Sequence, residues 1–167
     1  MESSPIRCLT QSLMDSIATE ARTSPRRRKN YNFHEHSDRV QRFLNVLQPG
    51  TYVRPHRHLR PADTSGFEFF LVLQGAIGMI ILNEQGDVLR TQLISADGET
   101  KAIELAEGTF HTLVALAPDT VMFELKEGPY IPMDDKDFLQ HFPLENTPEA
   151  AKWVETWESH FPEKKIP

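Results

Sequence analysis

Three histidines and one glutamate have the residue types and the spacing of a metal site. His56 and His58 are two residues apart in a predicted strand, so both imidazoles are expected on the same face. Glu68 begins the next predicted strand and His111 begins a later one. If these strands meet inside a barrel, three nitrogens and one carboxylate oxygen converge. Such a set suits one divalent transition metal ion (Fe, Mn, Zn, Co or Ni) and leaves coordination positions for a substrate, dioxygen or water.

A second His-x-His pair, His34 and His36, lies beside a basic segment. A lone histidine on a strand is more often a surface or core residue than a metal ligand. We therefore predict that His34 and His36 are loop or edge residues, and we assign no chemistry to His141 or His160.

Strand parity suggests further residues for the same pocket. Arg54 shares a face with His56 and His58, and Glu124 and Lys126 share a face of the predicted strand 120–126. If that face points inward, Arg54 and Lys126 could hold an anionic group such as a carboxylate or a phosphate. Glu124 could then be a general base, or only the ion-pair partner of Lys126. The alternative is a solvent-facing pair on an edge strand.

Short apolar runs separated by turn residues must position these side chains. They predict strands over residues 40–47, 51–58, 67–74, 76–82, 88–94, 101–105, 110–117 and 120–126. Their regular spacing is typical of an antiparallel sandwich or barrel. Apolar residues every four positions predict a helix over 9–22, and Thr147 and Pro148 predict the start of a C-terminal helix.

The composition restricts the class of protein. The 167 residues suit one domain, with a helix and basic linker over 1–30, a barrel over 31–130 and a helical extension over 131–167. The single cysteine, Cys8, excludes an intrachain disulfide framework and a cysteine-rich zinc site, and it predicts a reducing, cytoplasmic setting. No apolar run is long enough to predict a membrane span.

The net charge of −6 is unevenly distributed. Residues 1–61 hold 11 Lys and Arg against 5 Asp and Glu, whereas residues 62–167 hold 7 against 19. The basic charge is densest over residues 26–29, which could form an RNA-binding arm. We favour a solvated basic loop and expect no nucleic-acid partner, because no aromatic residues interleave with the basic run.

The order of these residues resembles the two motifs of the cupin superfamily. The matching residues are Gly50, His56, His58, Glu68, Gly75, Gly108 and His111. The spacer between His58 and Glu68 is nine residues long, which is longer than the usual one. Ala106 and Ala115 stand where the second motif has proline and asparagine.

The chain resembles one branch of that superfamily in particular, the WbuC family of cupin-fold metalloproteins. The stretches that carry the similarity are 26–28, 32–34, 55–58, 110–113 and 126–130. The resemblance implies an all-β, jelly-roll type antiparallel barrel with an N-terminal and a C-terminal helix, and a bound metal. It also implies a bacterial source and a link to surface-polysaccharide (O-antigen, lipopolysaccharide) biosynthesis, but no particular reaction.

Three functions follow, in decreasing order of preference. The first is a metalloenzyme, an isomerase or an oxygenase, acting on a small molecule such as a sugar derivative. The second is a non-catalytic module that binds or senses such a molecule through the metal. The third is a metal-free sugar epimerase, which is disfavoured because the complete ligand set is kept. Cupin barrels often pair, so we also expect a homodimer.

Overall fold

Two five-stranded antiparallel sheets face each other. The computed structural model describes residues 6–129 and 136–162, in which there are ten strands and two helices. The first sheet has the order β1 (Arg28–Asn32), β2 (Val40–Leu47), β9 (Thr120–Glu127), β4 (Glu68–Gln74) and β7 (Ala102–Leu105). The second has the order β10 (Asp137–Phe138), β3 (His56–Arg57), β8 (Phe110–Ala115), β5 (Ala76–Leu82) and β6 (Val88–Ser95). The helices are α1 (Gln11–Thr23) and α2 (Pro148–Glu158). This confirms the predicted all-β fold with a helix towards each end.

Apolar side chains fill the space between the sheets. Because side chains alternate across a strand, every second residue of a regular strand points into this space. The interior cluster is formed by Leu47, Phe70, Val72, Ile77, Met79, Ile94, Leu105, Leu113, Ala115 and Met122. Glu68 is two residues before Phe70 on β4, so it points into the same interior.

The two helices cover the outer faces of the two sheets. Helix α1 packs on the first sheet through Met14, Ile17, Ala18 and Ala21, which contact a cluster containing Leu44, Val46 and Val121. Helix α2 packs on the second sheet through Ala150, Val154 and Trp157, which lie in a cluster with Tyr52, Ile80 and Val114. Strand β8, in the middle of the second sheet, is therefore buried on both sides, and all six of its residues are buried.

The helix boundaries follow the capping signals in the sequence. Helix α1 begins after Thr10, whose side-chain oxygen accepts a hydrogen bond from the Leu13 amide, and it ends before Ser24-Pro25. Helix α2 begins at Pro148, after the cap Thr147, as predicted. The Trp157 ring stacks on the Tyr52 ring at 5.7 Å, so the helix docks on its own barrel through this tryptophan.

The basic run takes part in the fold, while most of its side chains stay exposed, as predicted. Residues 28–32 form β1, which pairs antiparallel with β2. Arg26 and Arg28 both form ion pairs with Glu145, and Arg28 also donates to the Tyr52 carbonyl at 2.8 Å. Sequence analysis missed β1 because its pairing residues are polar and its ionic partner is more than 110 residues away.

The predicted strand over 51–58 is much shorter in the structure. Only His56 and Arg57 have strand geometry, since Pro55 has no amide hydrogen to donate. Val53 packs against the interior cluster, whereas Tyr52 packs under α2. Val53 and His56 both point inward although they are three residues apart, so inward and outward positions do not alternate regularly here. The strand-parity argument that placed Arg54 in the pocket therefore fails.

Two of the motif glycines occupy turns that other residues would strain. Gly108 has φ of +80° two residues before the start of β8, and Gly75 has φ of +71° between β4 and β5. A Cβ atom on Gly75 would lie 2.5 Å from the Thr120 hydroxyl oxygen. Glycine at position 75 lets the chain turn at the end of β4, which carries Glu68. Glycine at position 108 lets the chain turn just before β8, which carries His111.

Candidate metal centre

Neighbouring strands bring the four predicted ligand residues to one end of the interior. His56 on β3 is the direct cross-strand partner of His111 on β8. His58 follows β3, and Glu68 begins β4 in the opposite sheet. All four side chains are buried, with exposed fractions between 2% and 4%. The site therefore spans both sheets.

The donor atoms of these residues are close enough to share one ion. One nitrogen or oxygen atom from each of His56, His58, Glu68 and His111 lies within 4.8 Å of all the others. The Glu68 carboxylate lies between two rings, with Oε1 3.0 Å from His58 Nε2 and Oε2 3.0 Å from His111 Nε2.

Main-chain carbonyls orient two of the imidazoles. His56 Nδ1 is 2.8 Å from the Arg54 carbonyl oxygen, and His111 Nδ1 is 2.9 Å from the Thr109 carbonyl oxygen. A carbonyl only accepts, so each Nδ1 carries the hydrogen and donates it. The Nε2 atoms are thereby turned towards the cluster, as is usual for histidine ligands.

Electrostatics give His56 and Glu68 the protonation states that metal ligands require. Burial lowers the pKa of His56 well below its ordinary value, so this ring is neutral. Burial alone would raise the pKa of Glu68, but the charge of His111 and hydrogen bonds from His111 and His58 hold it well below its ordinary value. Burial likewise opposes protonation of His111, but Glu68 raises its pKa overall. An ionised carboxylate among imidazoles fits a divalent transition metal ion.

The long loop between His58 and Glu68 is held by acidic side chains from elsewhere. Glu107 accepts hydrogen bonds from the amides of Arg60, at 2.7 Å, and Gly66, at 3.1 Å. Those two bonds lower the pKa of the Glu107 carboxyl. Because its ends are fixed in this way, the nine-residue spacer still delivers Glu68 to the cluster. Sequence reasoning missed Glu107, since nothing local marks it as a partner of this loop.

Glu124 and Lys126 lie beside the cluster on the inward face of β9. Met122, on the same face, belongs to the interior cluster, so the polar face of this strand points inward. Lys126 is the direct neighbour of Glu68 in the sheet and is 5% exposed. Its Nζ is 3.9 Å from Glu124 Oε1, and Asn45 donates to Glu124 Oε2 at 2.8 Å. Burial raises the pKa of Glu124, against the opposing effect of Lys126.

The structure does not bring Arg54 together with these residues. The Arg54 guanidinium donates to the carbonyl oxygens of Phe142, at 3.1 Å, and Gln140, at 3.2 Å. It also lies over the Phe138 ring, 5.2 Å from the centroid. These contacts hold residues 138–142 against the barrel, and the guanidinium is directed at that segment.

Residues 136–138 border the candidate site and were not predicted. Phe138 on β10 pairs with His56, and their ring centroids are 5.8 Å apart. The Lys136 charge acts on His56, His111 and Glu124. A two-residue strand has too little periodicity to be predicted from sequence. Tyr130, the last residue of the similar stretch 126–130, lies outside the described residues.

A family model described as a domain of unknown function (DUF6016) matches residues 9–94. The chain belongs to this family. The DUF6016 match includes His56, His58 and Glu68 and ends before His111. No curated protein matches the sequence significantly. Among the described residues of this DUF6016 member, no helix is long and apolar enough to cross a membrane.

Solved structures show that this DUF6016 chain has the cupin fold. The capsular polysaccharide assembling protein CapF from Staphylococcus aureus is 22% identical, with a TM-score of 0.54, and the match covers 65% of this chain and 29% of that chain. A salicylate 1,2-dioxygenase from Pseudoaminobacter salicylatoxidans is 14% identical, with a TM-score of 0.54, and the match covers 77% of this chain and 35% of that chain. This chain thus spans about a third of the length of CapF and of the dioxygenase.

Proposed function

We propose that this protein is a metal-binding cupin that holds one divalent transition metal ion through His56, His58, Glu68 and His111. The observation that carries the proposal is the convergence of four buried donor atoms within 4.8 Å. A buried carboxylate next to three imidazoles is costly unless its charge is compensated. A divalent ion supplies that compensation, and the carbonyl-oriented rings of His56 and His111 have suitable geometry.

We further propose that the site acts on a small molecule. The ion would supply Lewis-acid polarisation of a substrate oxygen. The chain itself contributes a buried acid–base pair, Glu124 and Lys126, next to the proposed metal site. Glu124 is placed to hold a proton at Oε1, because Asn45 already donates to Oε2. This pair favours proton-transfer chemistry, as in an isomerase, over an oxygenase with an otherwise apolar pocket.

The biological setting we propose is bacterial surface-polysaccharide or sugar metabolism, within the WbuC branch. The sequence motifs support the WbuC assignment. The structural likeness to a capsular polysaccharide assembling protein is consistent with this setting, although at 22% identity it concerns the fold. We also propose a cytoplasmic homodimer. The half-exposed Trp153 and the exposed Leu144 form apolar surface available for pairing, and the molecular mass in solution tests this point.

A second candidate is a module that binds or senses a ligand without turnover. The burial of all four donor residues favours it, because a closed shell of protein ligands stabilises a fold without leaving coordination positions. Water exchange at a paramagnetic ion distinguishes the two. Rapid relaxation of bulk water protons by the Mn(II)-loaded protein indicates an open position, and its absence indicates the binding module.

Elemental analysis tests the metal directly. The protein is purified untagged and without chelator, and the Glu68→Gln variant is prepared in parallel. We expect about one transition metal ion per chain in the wild type and a strong reduction in the variant, which keeps the side-chain shape but loses the charge. A wild-type chain that stays free of metal after reconstitution contradicts the proposal.

A further inference from the structure

His56 and His111 are oriented by the same kind of hydrogen bond but lie on unequal strands. Each Nδ1 atom donates to the carbonyl oxygen two residues earlier, that of Arg54 at 2.8 Å and that of Thr109 at 2.9 Å. His111 belongs to β8, a six-residue strand with a neighbouring strand on each side. His56 belongs to β3, which has only two residues. So short a strand fixes its main chain through few ladder hydrogen bonds, and His56 therefore depends on support from outside β3.

The Arg54 side chain fastens the segment 138–142 to the barrel. Its Nε donates to the Phe142 carbonyl oxygen at 3.1 Å, and its Nη2 donates to the Gln140 carbonyl oxygen at 3.2 Å. The guanidinium also lies over the Phe138 ring, 5.2 Å from the ring centroid. Because the guanidinium is a rigid planar fork, bonding two carbonyls and covering a ring at once fixes the path of this segment closely.

The same segment contacts the His56 ring. Phe138 on β10 is the direct cross-strand partner of His56, and their ring centroids are 5.8 Å apart. The next amide, that of Leu139, donates to the Pro55 carbonyl oxygen at 3.0 Å. Arg54 therefore reaches His56 by two routes. The first is its own main-chain carbonyl, and the second is the Phe138 ring, which neighbours both side chains.

We propose that Arg54 is a positioning residue of the candidate metal centre, and that it holds the His56 imidazole in place through its main-chain carbonyl and through Phe138. The inference rests on the proposed function, in which His56 binds the ion. The guanidinium is directed at residues 139–142, so its effect on the ion is indirect. Strand parity predicted that Arg54 binds an anionic group, whereas its contacts assign it to the orientation of a ligand.

A double-mutant cycle on Arg54 and Phe138 tests the route through the ring. The variants are Arg54→Met, Phe138→Leu and the two combined, and Arg54→Lys keeps the charge without the planar fork. The matched control is Arg90→Met, which alters an exposed arginine on β6 of the same sheet. Co(II) affinity is measured by competition with a chelator, and the visible spectrum of the bound ion reports how its ligands are placed. Urea denaturation of each variant measures stability separately.

We expect Arg54→Met and Phe138→Leu each to lose about tenfold in Co(II) affinity and to change the spectrum, as for residues that orient a ligand. The double variant should also lose about tenfold and not about a hundredfold, because both changes break the same route. Arg54→Lys should resemble Arg54→Met, since one ammonium group cannot replace the fork. Arg90→Met should match the wild type. Multiplying losses in the double variant overturn the proposal, and so does an Arg54→Met variant that loses stability but keeps the wild-type affinity and spectrum.

Proton NMR of the metal-free chain separates this inference from the metal proposal. A buried Nδ1–H that donates to a carbonyl is protected from exchange with water, and His56 and His111 each have one. Arg54→Met should shift or broaden the His56 signal and leave the His111 signal unchanged. A wild type that binds no Co(II) but shows this selective change contradicts the metal proposal and retains the role of Arg54. A His56 signal that is the same in both chains overturns that role.

Discussion

The protein contains two His-x-His pairs with the same spacing but different surroundings. His56 and His58 are both buried, and their donor atoms converge with those of two further residues. His34 and His36 lie in the connection between β1 and β2, where His34 is buried and His36 is exposed. The spacing is identical, so it is not what distinguishes a candidate ligand pair.

The hydrogen bonds of His34 show how the second pair is used. The Arg42 carbonyl oxygen already accepts from the Phe33 amide at 2.9 Å. The Arg42 amide donates to His34 Nδ1, also at 2.9 Å, so this nitrogen acts as the acceptor. The proton then sits on Nε2, which is buried and has no hydrogen-bond partner among residues 6–129 and 136–162. In the other pair, the Nδ1 atom of His56 donates to a carbonyl and leaves Nε2 to accept.

The comparison teaches that the role of a histidine pair depends on the main chain beside it. A carbonyl next to Nδ1 turns a lone pair towards the interior, whereas an amide next to Nδ1 leaves an N–H there. An N–H cannot bind a metal ion. His56 is therefore suited to ligation, and His34 to holding its own loop.

The largest expected effect is on metal content when each pair is removed. His56→Ala/His58→Ala should lose at least about a hundredfold in Zn(II) affinity, because two of the four proposed ligands disappear. His34→Ala/His36→Ala should retain the wild-type affinity. Competition with a chromogenic chelator measures both. Loss of metal from the second variant alone would reverse the assignment of the pairs.

A second test of the comparison is the pH dependence of metal affinity. Glu68 raises the pKa of His111 above its ordinary value, so His111 takes up a proton early as the pH falls. Protons then compete with the ion, and affinity should drop about tenfold for each pH unit below that pKa. Metal competition titrations between neutral and mildly acidic pH measure this slope.

The control for this slope is the other histidine pair. His34→Ala/His36→Ala should show the same slope as the wild type, because its changed residues are not ligands. A flat profile in the wild type would mean that His111 does not bind the ion.

The third expected effect is on stability and separates the members of the second pair. His34→Ala leaves the part-buried Arg42 amide without its His34 acceptor and should lower the free energy of unfolding by about 1–3 kcal/mol. His36→Ala changes an exposed side chain and should stay within about 0.5 kcal/mol of the wild type. Urea denaturation of the two single variants measures the difference. Equal effects would show that the Arg42 contact contributes nothing.

The smallest expected effect concerns the loop that follows the first pair. Glu107→Gln weakens the two hydrogen bonds that hold the Arg60 and Gly66 amides, while keeping the side-chain shape. We expect metal affinity to fall by about tenfold, as for a residue that acts through the position of a ligand. Glu104→Gln, on the exposed part of β7, is the matched control and should bind metal like the wild type. A Glu107→Gln variant with unchanged affinity would show that the loop needs no such support.

Sequence reasoning found the strands and the four clustered residues because both depend on local patterns. The apolar residues within Val40–Leu47 and the apolar run in Ala76–Leu82 are visible within a few residues. The inward face of β9 was predicted as one of two alternatives. Met122 in the interior cluster decides between them.

What sequence reasoning missed depends on partners far along the chain. Strand β1 is polar and is fixed by β2 and Glu145, and β10 has only two residues. Arg54 was assigned to the pocket by parity, which breaks down at the irregular backbone around Pro55. The hydrogen bonds that direct the Arg54 guanidinium to residues 139–142 join distant parts of the chain, so no local sequence pattern predicts them.

The ion pair between Arg28 and Glu145 has a consequence for how the protein is made. It joins residues 117 positions apart, and β3, which carries His56, pairs on one edge with β10. During translation, all four clustered residues are synthesised before residues 137–145. Contacts that close such long stretches of chain slow folding. The strand that packs beside His56 is therefore among the last parts of the barrel to become available, and the histidine cluster closes only after it pairs.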